Sequence, residues 1–285
     1  MKWRALVLLL LLGPSADAQE PIVVGTGYEL VSKILGETRR YNVYRPPGHA
    51  ESEESYPVLY LLDGGVNEDF IHVAGIASLA AEFRKIRPFL VVGIEGIDRY
   101  HDLLPPTRVD ADKERLPTAG GAADFRRFLV EELQPAVRER FRVTDESVLL
   151  GESVAGHFVV ETLFEQPRAF TGYAAVSPSL WWNDRSLERG LGERLGALDL
   201  AGRSFFLTLA DEGGEMEEAV GGVAAALEAA ALPGFVWRYE PMPEESHGTI
   251  LHPAALEAVR WLFATDAAKE SLLRPWAAAA VRVDA

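Results

Sequence analysis

The sequence contains no cysteine among its 285 residues. This absence excludes disulfide bonds, thiolate metal sites and a cysteine nucleophile in one step. Basic charge is scarce as well, because 28 Lys and Arg face 43 Asp and Glu and the formal net charge is -15. Nucleic acids and anionic membranes bind basic surfaces. We therefore expect no nucleic-acid partner and no membrane partner for the mature chain, while the composition leaves the oligomeric state open.

Long hydrophobic runs are also missing, except at the N-terminus. Residues 5–12 form an unbroken apolar run that is too short to span a bilayer as a mature helix. Lys2 and Arg4 precede this run, and Ala16-Asp17-Ala18 follows it with the small-x-small form that signal peptidase requires. The pattern predicts that residues 1–18 are a signal peptide and that the protein is exported, either to the periplasm or out of the cell.

Short apolar runs alternate with segments of helical periodicity along the rest of the chain. The predicted strands cover residues 27–34, 38–45, 57–62, 89–94, 147–150, 170–176, 204–209 and 235–239. The predicted helices cover residues 71–85, 122–141, 154–165, 216–230 and 252–263, with a kink at Pro135 in the second. Strands that alternate with helices favour an α/β fold, with a mostly parallel, doubly wound sheet.

The first two strands have no helix between them, so we expect them to form an antiparallel edge of that sheet. We assign residues 19–267 to one domain and residues 268–285 to a C-terminal tail.

The strongest chemical signal is the segment Leu149 to Gly156, where a buried strand runs directly into Ser153 and a helix follows. A serine in such a sharp strand-to-helix turn is exposed as a nucleophile, and the residues two before and two after it must be small. Gly151 and Ala155 meet this requirement, although glycine is usual at the second position. We predict that Ser153 is a catalytic nucleophile; the simpler alternative is a helix N-cap.

A serine hydroxyl needs a general base, and in this arrangement the histidine follows the last strand. Only His247 and His252 of the six histidines lie there. His247 precedes a glycine in a loop, whereas His252 stands next to Pro253 at the start of the last helix. We therefore assign the base to His247.

The acid that orients the histidine should follow the strand at 204–209. Three carboxylates compete there, and we rank Glu212 first, Asp211 second and Glu215 third. The sequence alone leaves this choice open.

Backbone N–H groups are expected to stabilise the oxyanion that forms during acyl transfer. The N–H of Val154 lies at the helix start beside the nucleophile. The loop Asp63-Gly64-Gly65 follows an early buried strand, and we assign the second donor to the N–H of Gly65.

Four segments together resemble the putative-esterase family of α/β-hydrolases, in the branch of enterochelin-type siderophore esterases. These segments are residues 59–64, 98–103, 151–156 and 177–182. The resemblance implies an α/β-hydrolase fold and the Ser and His roles assigned above. By the same resemblance, Arg99, Asp102, Trp181 and Trp182 would lie near the mouth of a substrate pocket. Glu152 stands where the family usually has histidine.

The predicted function is therefore hydrolysis of a small-molecule carboxylic ester through an acyl-enzyme, with no metal and no organic cofactor. Two alternatives remain open at this stage. One is an acyltransferase that uses the same residues, and the other is a non-catalytic binding protein on the same fold.

Overall fold

The computed structural model describes residues 20–82 and 86–265. The expected signal peptide at 1–18 and the expected tail at 268–285 lie outside the described residues. Within the described part of the chain, no helix combines the length and the hydropathy that a membrane crossing requires.

Eight strands form one sheet in the order β1-β2-β4-β3-β5-β6-β7-β8. They are β1 (Thr26–Val31), β2 (Thr38–Tyr44), β3 (Tyr56–Leu61), β4 (Leu90–Ile94), β5 (Val143–Glu152), β6 (Gly172–Val176), β7 (Ser204–Ala210) and β8 (Val236–Met242). Strand β2 runs antiparallel to both β1 and β4, and every pair from β4 to β8 is parallel. The expected antiparallel N-terminal edge and the parallel remainder are both confirmed.

Helices cover both faces of the sheet. They are α1 (Phe70–Glu82), α2 (Arg99–Leu103), α3 (Asp110–Arg115), α4 (Ala122–Arg127), α5 (Gln134–Arg140), α6 (Val154–Glu165), α7 (Trp182–Arg185), α8 (Leu191–Leu195), α9 (Gly214–Ala230) and α10 (Leu251–Leu262). Helices α1 and α10 contribute buried residues to one apolar cluster. Helices α4 to α6, α8 and α9 contribute to the other. The short helices α2, α3, α7 and α8 are absent from the prediction because four to six residues are too few for a helical period to show.

The predicted helix at 122–141 is one helical rod with a π-helical turn, Phe128–Leu133, between α4 and α5. Pro135 is the second residue of α5, which begins directly after that turn. A proline has no N–H to donate to the carbonyl four residues earlier, so it interrupts the α-helical hydrogen-bond ladder. The predicted kink at Pro135 stays a prediction; the irregularity that the structure shows is a widened, π-helical turn at the preceding residues.

The sheet places the carboxyl ends of β3, β5, β7 and β8 on the same edge. Leu62 directly after β3 donates its N–H to Leu150 of β5 at 3.0 Å, and Asp211 after β7 donates to Glu245 after β8 at 3.0 Å. Loops that follow parallel strands meet at one edge, which is where open α/β sheets bind ligands. All the candidate catalytic residues lie in these loops.

Candidate active site

Ser153 lies in a strained turn between β5 and α6. Its backbone angles are φ 59° and ψ -117°, which a residue with a side chain rarely adopts. The turn has no spare room, because a Cβ added to Gly151 would lie 2.7 Å from both the carbonyl carbon and the Cβ of Ala155. The methyl group of Ala155 thus occupies the space beside Gly151, which shows how alanine fits where glycine is usual.

Three side chains from three loops form a continuous hydrogen-bond chain. The His247 Nε2 atom lies 3.0 Å from Ser153 Oγ, and the His247 Nδ1 atom lies 2.6 Å from Glu212 Oε1. With its proton on Nδ1, the imidazole donates to Glu212 and accepts from the serine hydroxyl, which is the arrangement a general base requires. The Glu212 side chain is 11% exposed and the His247 side chain 43%.

The structure separates the remaining candidates for base and acid from this chain. His252 lies on α10, where its ring faces His72 instead of Ser153. Asp211 is exposed, and its backbone N–H joins the loops after β7 and β8. Glu215 is an exposed residue in the first turn of α9. Glu212 alone of the three carboxylates hydrogen-bonds His247 within the described residues.

Ser179 is a contact of the nucleophile that the sequence analysis did not single out. Its hydroxyl lies 3.3 Å from Ser153 Oγ, and its N–H donates to the Ser153 carbonyl at 2.9 Å. The segment that carries it follows β6 and presses against α6, since a Cβ on Gly156 would lie 3.0 Å from the Cα of Pro178. The sequence could have indicated Ser179 only through its position in residues 177–182, one of the four segments that carry the family resemblance.

A pocket of about 270 Å³ opens over Ser153. Its walls combine the catalytic chain with residues from α2, α3 and α9. The lining residues are Arg99, Tyr100, Arg115, Leu116, Ser153, Val154, Ser179, Trp181, Glu212, Met216 and His247. Arg99 and Trp181, which the resemblance places near a pocket mouth, both line this pocket. Arg115 was missed because a single arginine in a charged short helix has no distinguishing pattern.

Two residues expected at the pocket mouth are elsewhere. Trp182 is fully buried and donates its indole N–H to the Pro105 carbonyl at 3.0 Å, so it packs in the core beneath Trp181. Asp102 is buried as well, where it pairs with Arg39 at 2.8 Å. Both assignments to the pocket are corrected: successive residues in a turn point in different directions, and a buried carboxylate requires a cationic partner.

The two expected oxyanion donors differ in their surroundings. Val154 begins α6, so its N–H belongs to the first turn, where the helix itself supplies no acceptor. The N–H of Gly65 donates to Glu68 Oε2 at 2.6 Å. In this conformation the Gly65 N–H is therefore occupied by a carboxylate of its own loop.

Position 64 in this loop requires glycine because there is no room for a side chain. A Cβ on Gly64 would lie 2.3 Å from the Cα of Gly93 in β4, so the two backbones touch at this point. The Asn42 side chain donates to the Gly64 carbonyl at 3.0 Å and holds the loop from the other side.

Carboxylates crowd the side of the nucleophile that faces β3. Burial raises the pKa of Glu152 to about 7, with the neighbouring His247 opposing this shift and the neighbouring Asp69 adding to it. Burial raises the pKa of Asp69 to about 6 and also raises the pKa of Asp63. Arg99 bridges this side to the elbow, because it donates to Asp63 Oδ2 at 2.8 Å and to the Glu152 carbonyl at 3.2 Å.

The described residues contain no group of three or more His, Asp or Glu side chains arranged to hold a metal ion.

The strand order, the serine elbow after β5, and an acid and a histidine after β7 and β8 together define an α/β-hydrolase fold. Residues 32–199 match the family described as "Putative esterase". The chain belongs to this family.

Curated relatives share part of this chain. The ferri-bacillibactin esterase BesA of Bacillus subtilis is 30% identical over 177 residues, which are 56% of this chain and 61% of the relative. The siderophore triacetylfusarinine C esterase of Aspergillus fumigatus is 30% identical over 154 residues, which are 48% of this chain and 50% of the relative. The matched region thus spans less than two thirds of each of these relatives.

Solved structures share the fold over most of the chain. An IroE-like serine hydrolase from Shewanella oneidensis superposes with a TM-score of 0.78 at 28% identity, covering 84% of this chain and 80% of its own. The BES protein from Bacillus cereus superposes with a TM-score of 0.75 at 23% identity, covering 88% of this chain and 100% of its own, which supports the fold alone.

Proposed function

We propose that the protein is a serine carboxylic-ester hydrolase in which Ser153, His247 and Glu212 act as a catalytic triad. The observation that carries this proposal is the continuous hydrogen-bond chain, with 3.0 Å from Ser153 Oγ to His247 Nε2 and 2.6 Å from His247 Nδ1 to Glu212 Oε1. It runs through a serine in a strained elbow at the floor of a pocket, which is the setting of an activated nucleophile.

The proposed reaction has two steps. His247 accepts the proton of Ser153 as the serine oxygen attacks the ester carbonyl, and then gives that proton to the departing alcohol. Water attacks the resulting acyl-enzyme and gives a proton to His247 as the new bond forms. The imidazolium then returns a proton to Ser153 Oγ as the bond between the acyl carbon and the serine oxygen breaks, and the acid product leaves. Glu212 holds the imidazole in the required tautomer and stabilises its protonated form in both steps.

Oxyanion stabilisation is assigned to the N–H groups of Val154 and Gly65. The Gly65 N–H becomes available only when the Glu68 carboxylate moves away, because the two are hydrogen-bonded in this conformation. Glu68 is exposed, so its side chain can leave without disturbing the core. Loss of one oxyanion donor typically costs about 100-fold or more in rate.

For the substrate, we propose a small-molecule ester of the siderophore class. The curated relatives are named as siderophore esterases, which supports this choice. The pocket adds a physical reason, since Arg99 and Arg115 line it although the whole chain carries a net charge of -15. The Arg115 guanidinium lies 4.6 Å above the Trp181 ring, so a flat cation and an indole are presented together to an anionic or aromatic acyl group.

We also propose export through the N-terminal segment, with cleavage after Ala18. The basic start, the short apolar run and Ala16-Asp17-Ala18 support it. N-terminal sequencing of protein recovered outside the cytoplasm should begin at Gln19; an intact Met1 on that protein would contradict cleavage.

The experiment compares ester turnover in matched variants. The parent protein should hydrolyse p-nitrophenyl acetate, and Ser153→Ala and His247→Ala should each lose about 10⁴-fold or more in kcat. His252→Ala should retain the parent rate. A loss in His252→Ala with activity kept in His247→Ala would overturn the assigned base. Hydrolysis of a siderophore ester with higher kcat/KM than the acetate supports the substrate class, and absence of that preference contradicts it.

A further inference from the structure

Two imidazoles meet where α1 packs against α10, and neither of them lines the pocket over Ser153. His252 Nδ1 lies 3.1 Å from His72 Nε2 and 3.3 Å from His72 Nδ1. The ring centroids are 4.3 Å apart, and the ring planes are inclined at 87°. The two residues are 180 positions apart in the chain, so the packing of two helices creates this contact.

A single hydrogen bond does not account for this arrangement. The Nδ1 atom of His252 is almost equally distant from both nitrogens of His72, so it faces the carbon between them. Both side chains reach solvent, with His72 partly exposed and His252 exposed. Solvent access leaves the rings free to turn their nitrogens toward a common point.

The spacing matches that of two histidine ligands on one metal ion. Zinc binds histidine nitrogen at about 2.0–2.1 Å in tetrahedral geometry, which places two nitrogens about 3.3 Å apart. The observed separations of 3.1 and 3.3 Å are close to that value. Imidazole nitrogen suits zinc, nickel and copper, whereas magnesium and calcium prefer oxygen.

A carboxylate lies nearby as a third polar group. Asp69 precedes α1 and stands three residues before His72. Its charge and that of His252 are close enough to interact. The described residues hold no ready-made group of three ligands at this place, so water must complete the coordination.

We propose that His72 and His252 form a two-histidine site for a divalent transition-metal ion of the zinc, nickel and copper class. Such an ion would clamp the first turn of α1 to the first turn of α10. Because the two helices are joined only in the folded chain, a bound ion stabilises the folded state. Neither histidine lines the pocket over Ser153, and the proposed ester hydrolysis does not use this site.

The test measures binding and stability with tag-free protein. Calorimetric titration with Zn²⁺ should show one ion per chain, and excess Zn²⁺ should raise the Tm by about 2 °C or more. His72→Ala and His252→Ala should each weaken Zn²⁺ binding about 10-fold or more and abolish the Tm rise. Mg²⁺ at the same concentration should produce no rise.

Two matched variants separate this site from other histidines. His247→Ala removes the catalytic imidazole, and His101→Ala removes another exposed histidine; both should bind Zn²⁺ as the parent does. The Tm of each variant without metal shows that it is folded, and His72→Asn serves if the alanine variant is not. The proposal is overturned if the parent does not bind Zn²⁺, if His247→Ala abolishes binding, or if His72 and His252 variants bind normally.

Discussion

Ser153 lies between two regions that are held in place by different interactions. On one side, the elbow between β5 and α6 is fixed by backbone packing, with Gly151 against Ala155 and Gly156 against Pro178. On the other side, the loop from Asp63 to Asp69 is held by polar contacts, including Gly65 N–H to Glu68 and Arg99 to Asp63. A packed turn allows one conformation, whereas an exposed carboxylate can move at small cost.

This difference assigns separate roles to the two sides. The elbow aims the nucleophile, and a steric change there should disturb catalysis strongly. In the loop from Asp63 to Asp69, one candidate oxyanion donor, the Gly65 N–H, is hydrogen-bonded to Glu68. A substitution in this loop should therefore change the rate of ester hydrolysis only moderately. The carboxylates on the two sides also differ in their partners: Glu212 contacts the imidazole of His247 at 2.6 Å, whereas Glu68 accepts a hydrogen bond from the backbone N–H of Gly65 in its own loop.

The largest effect is expected at Glu212. Glu212→Gln keeps the shape of the side chain but removes the charge that holds the imidazole tautomer, so kcat should fall about 10³- to 10⁴-fold. Asp211→Asn, next to it on the exposed surface, should stay within about twofold. Steady-state rates with p-nitrophenyl acetate measure both. Equal losses in the two variants would show that the acid is misassigned.

A pair of glycine substitutions compares the two sides directly. Gly151→Ala would drive a Cβ to 2.7 Å from the backbone of Ala155, so the elbow must shift, and kcat should fall about 100-fold. Gly65→Ala would meet only the mobile end of Glu68 at 2.8 Å. The second variant should keep the parent Tm within about 1 °C. Activity and thermal unfolding report both, and a greater loss of Tm in Gly65→Ala would reverse the comparison.

The hydrogen bond from the Gly65 N–H to Glu68 predicts a smaller effect, in which a substitution raises the activity instead of lowering it. Glu68→Ala frees Gly65 and removes a negative charge near the developing oxyanion, a change of about 1 kcal/mol, so kcat/KM should rise about fivefold. Asn67→Ala, at the neighbouring exposed position, should leave the rate unchanged. A tenfold fall in Glu68→Ala would show that the carboxylate organises the loop instead of restraining it.

The smallest effect is expected on the pH dependence of the thermal stability. It concerns Glu152, which directly precedes Ser153. Burial raises the pKa of Glu152 from its ordinary 4.5 to about 7 in the folded protein. The folded state therefore binds the proton more tightly than the unfolded chain, and ionisation between these values removes stability as pH rises. Glu152→Gln should abolish this loss, so its Tm relative to the parent should be about 2 °C higher at pH 8 than at pH 5.

A control for this pH effect is Glu139→Gln, at an exposed position on α5. Its Tm difference from the parent should not change between pH 5 and pH 8. If Glu152→Gln behaves in the same way as Glu139→Gln, the carboxyl of Glu152 ionises freely and the crowded environment has no energetic consequence.

The sequence predicted the elbow between β5 and α6 better than it predicted the contacts of the charged loop from Asp63 to Asp69. An elbow leaves a local pattern, because a strained serine requires small neighbours and is preceded by a buried strand and followed by a helix. The order of the loops along the chain then indicates His247 and limits the acid to three carboxylates after β7, of which the structure selects Glu212. Strand β5 begins at Val143, earlier than expected, because its first residues are partly exposed and form no apolar run.

Contacts between distant side chains left no such pattern. Trp182 is buried although its neighbour Trp181 lines the pocket, and Asp102 pairs with Arg39, 63 residues away. The contact of Glu68 with Gly65 depends on one rotamer, and the pairing of His72 with His252 depends on how α1 packs against α10. Local composition does not encode these arrangements, so only the folded chain shows them.

The most direct test of the central assignment is covalent labelling of the nucleophile. The parent protein is treated with a fluorophosphonate, its intact mass is measured, and the labelled peptide is sequenced. One adduct per chain on Ser153, absent in Ser153→Ala and strongly slowed in His247→Ala, is the predicted result. No adduct on the folded parent, or an adduct on a different residue, would contradict the assignment of Ser153 as the activated nucleophile.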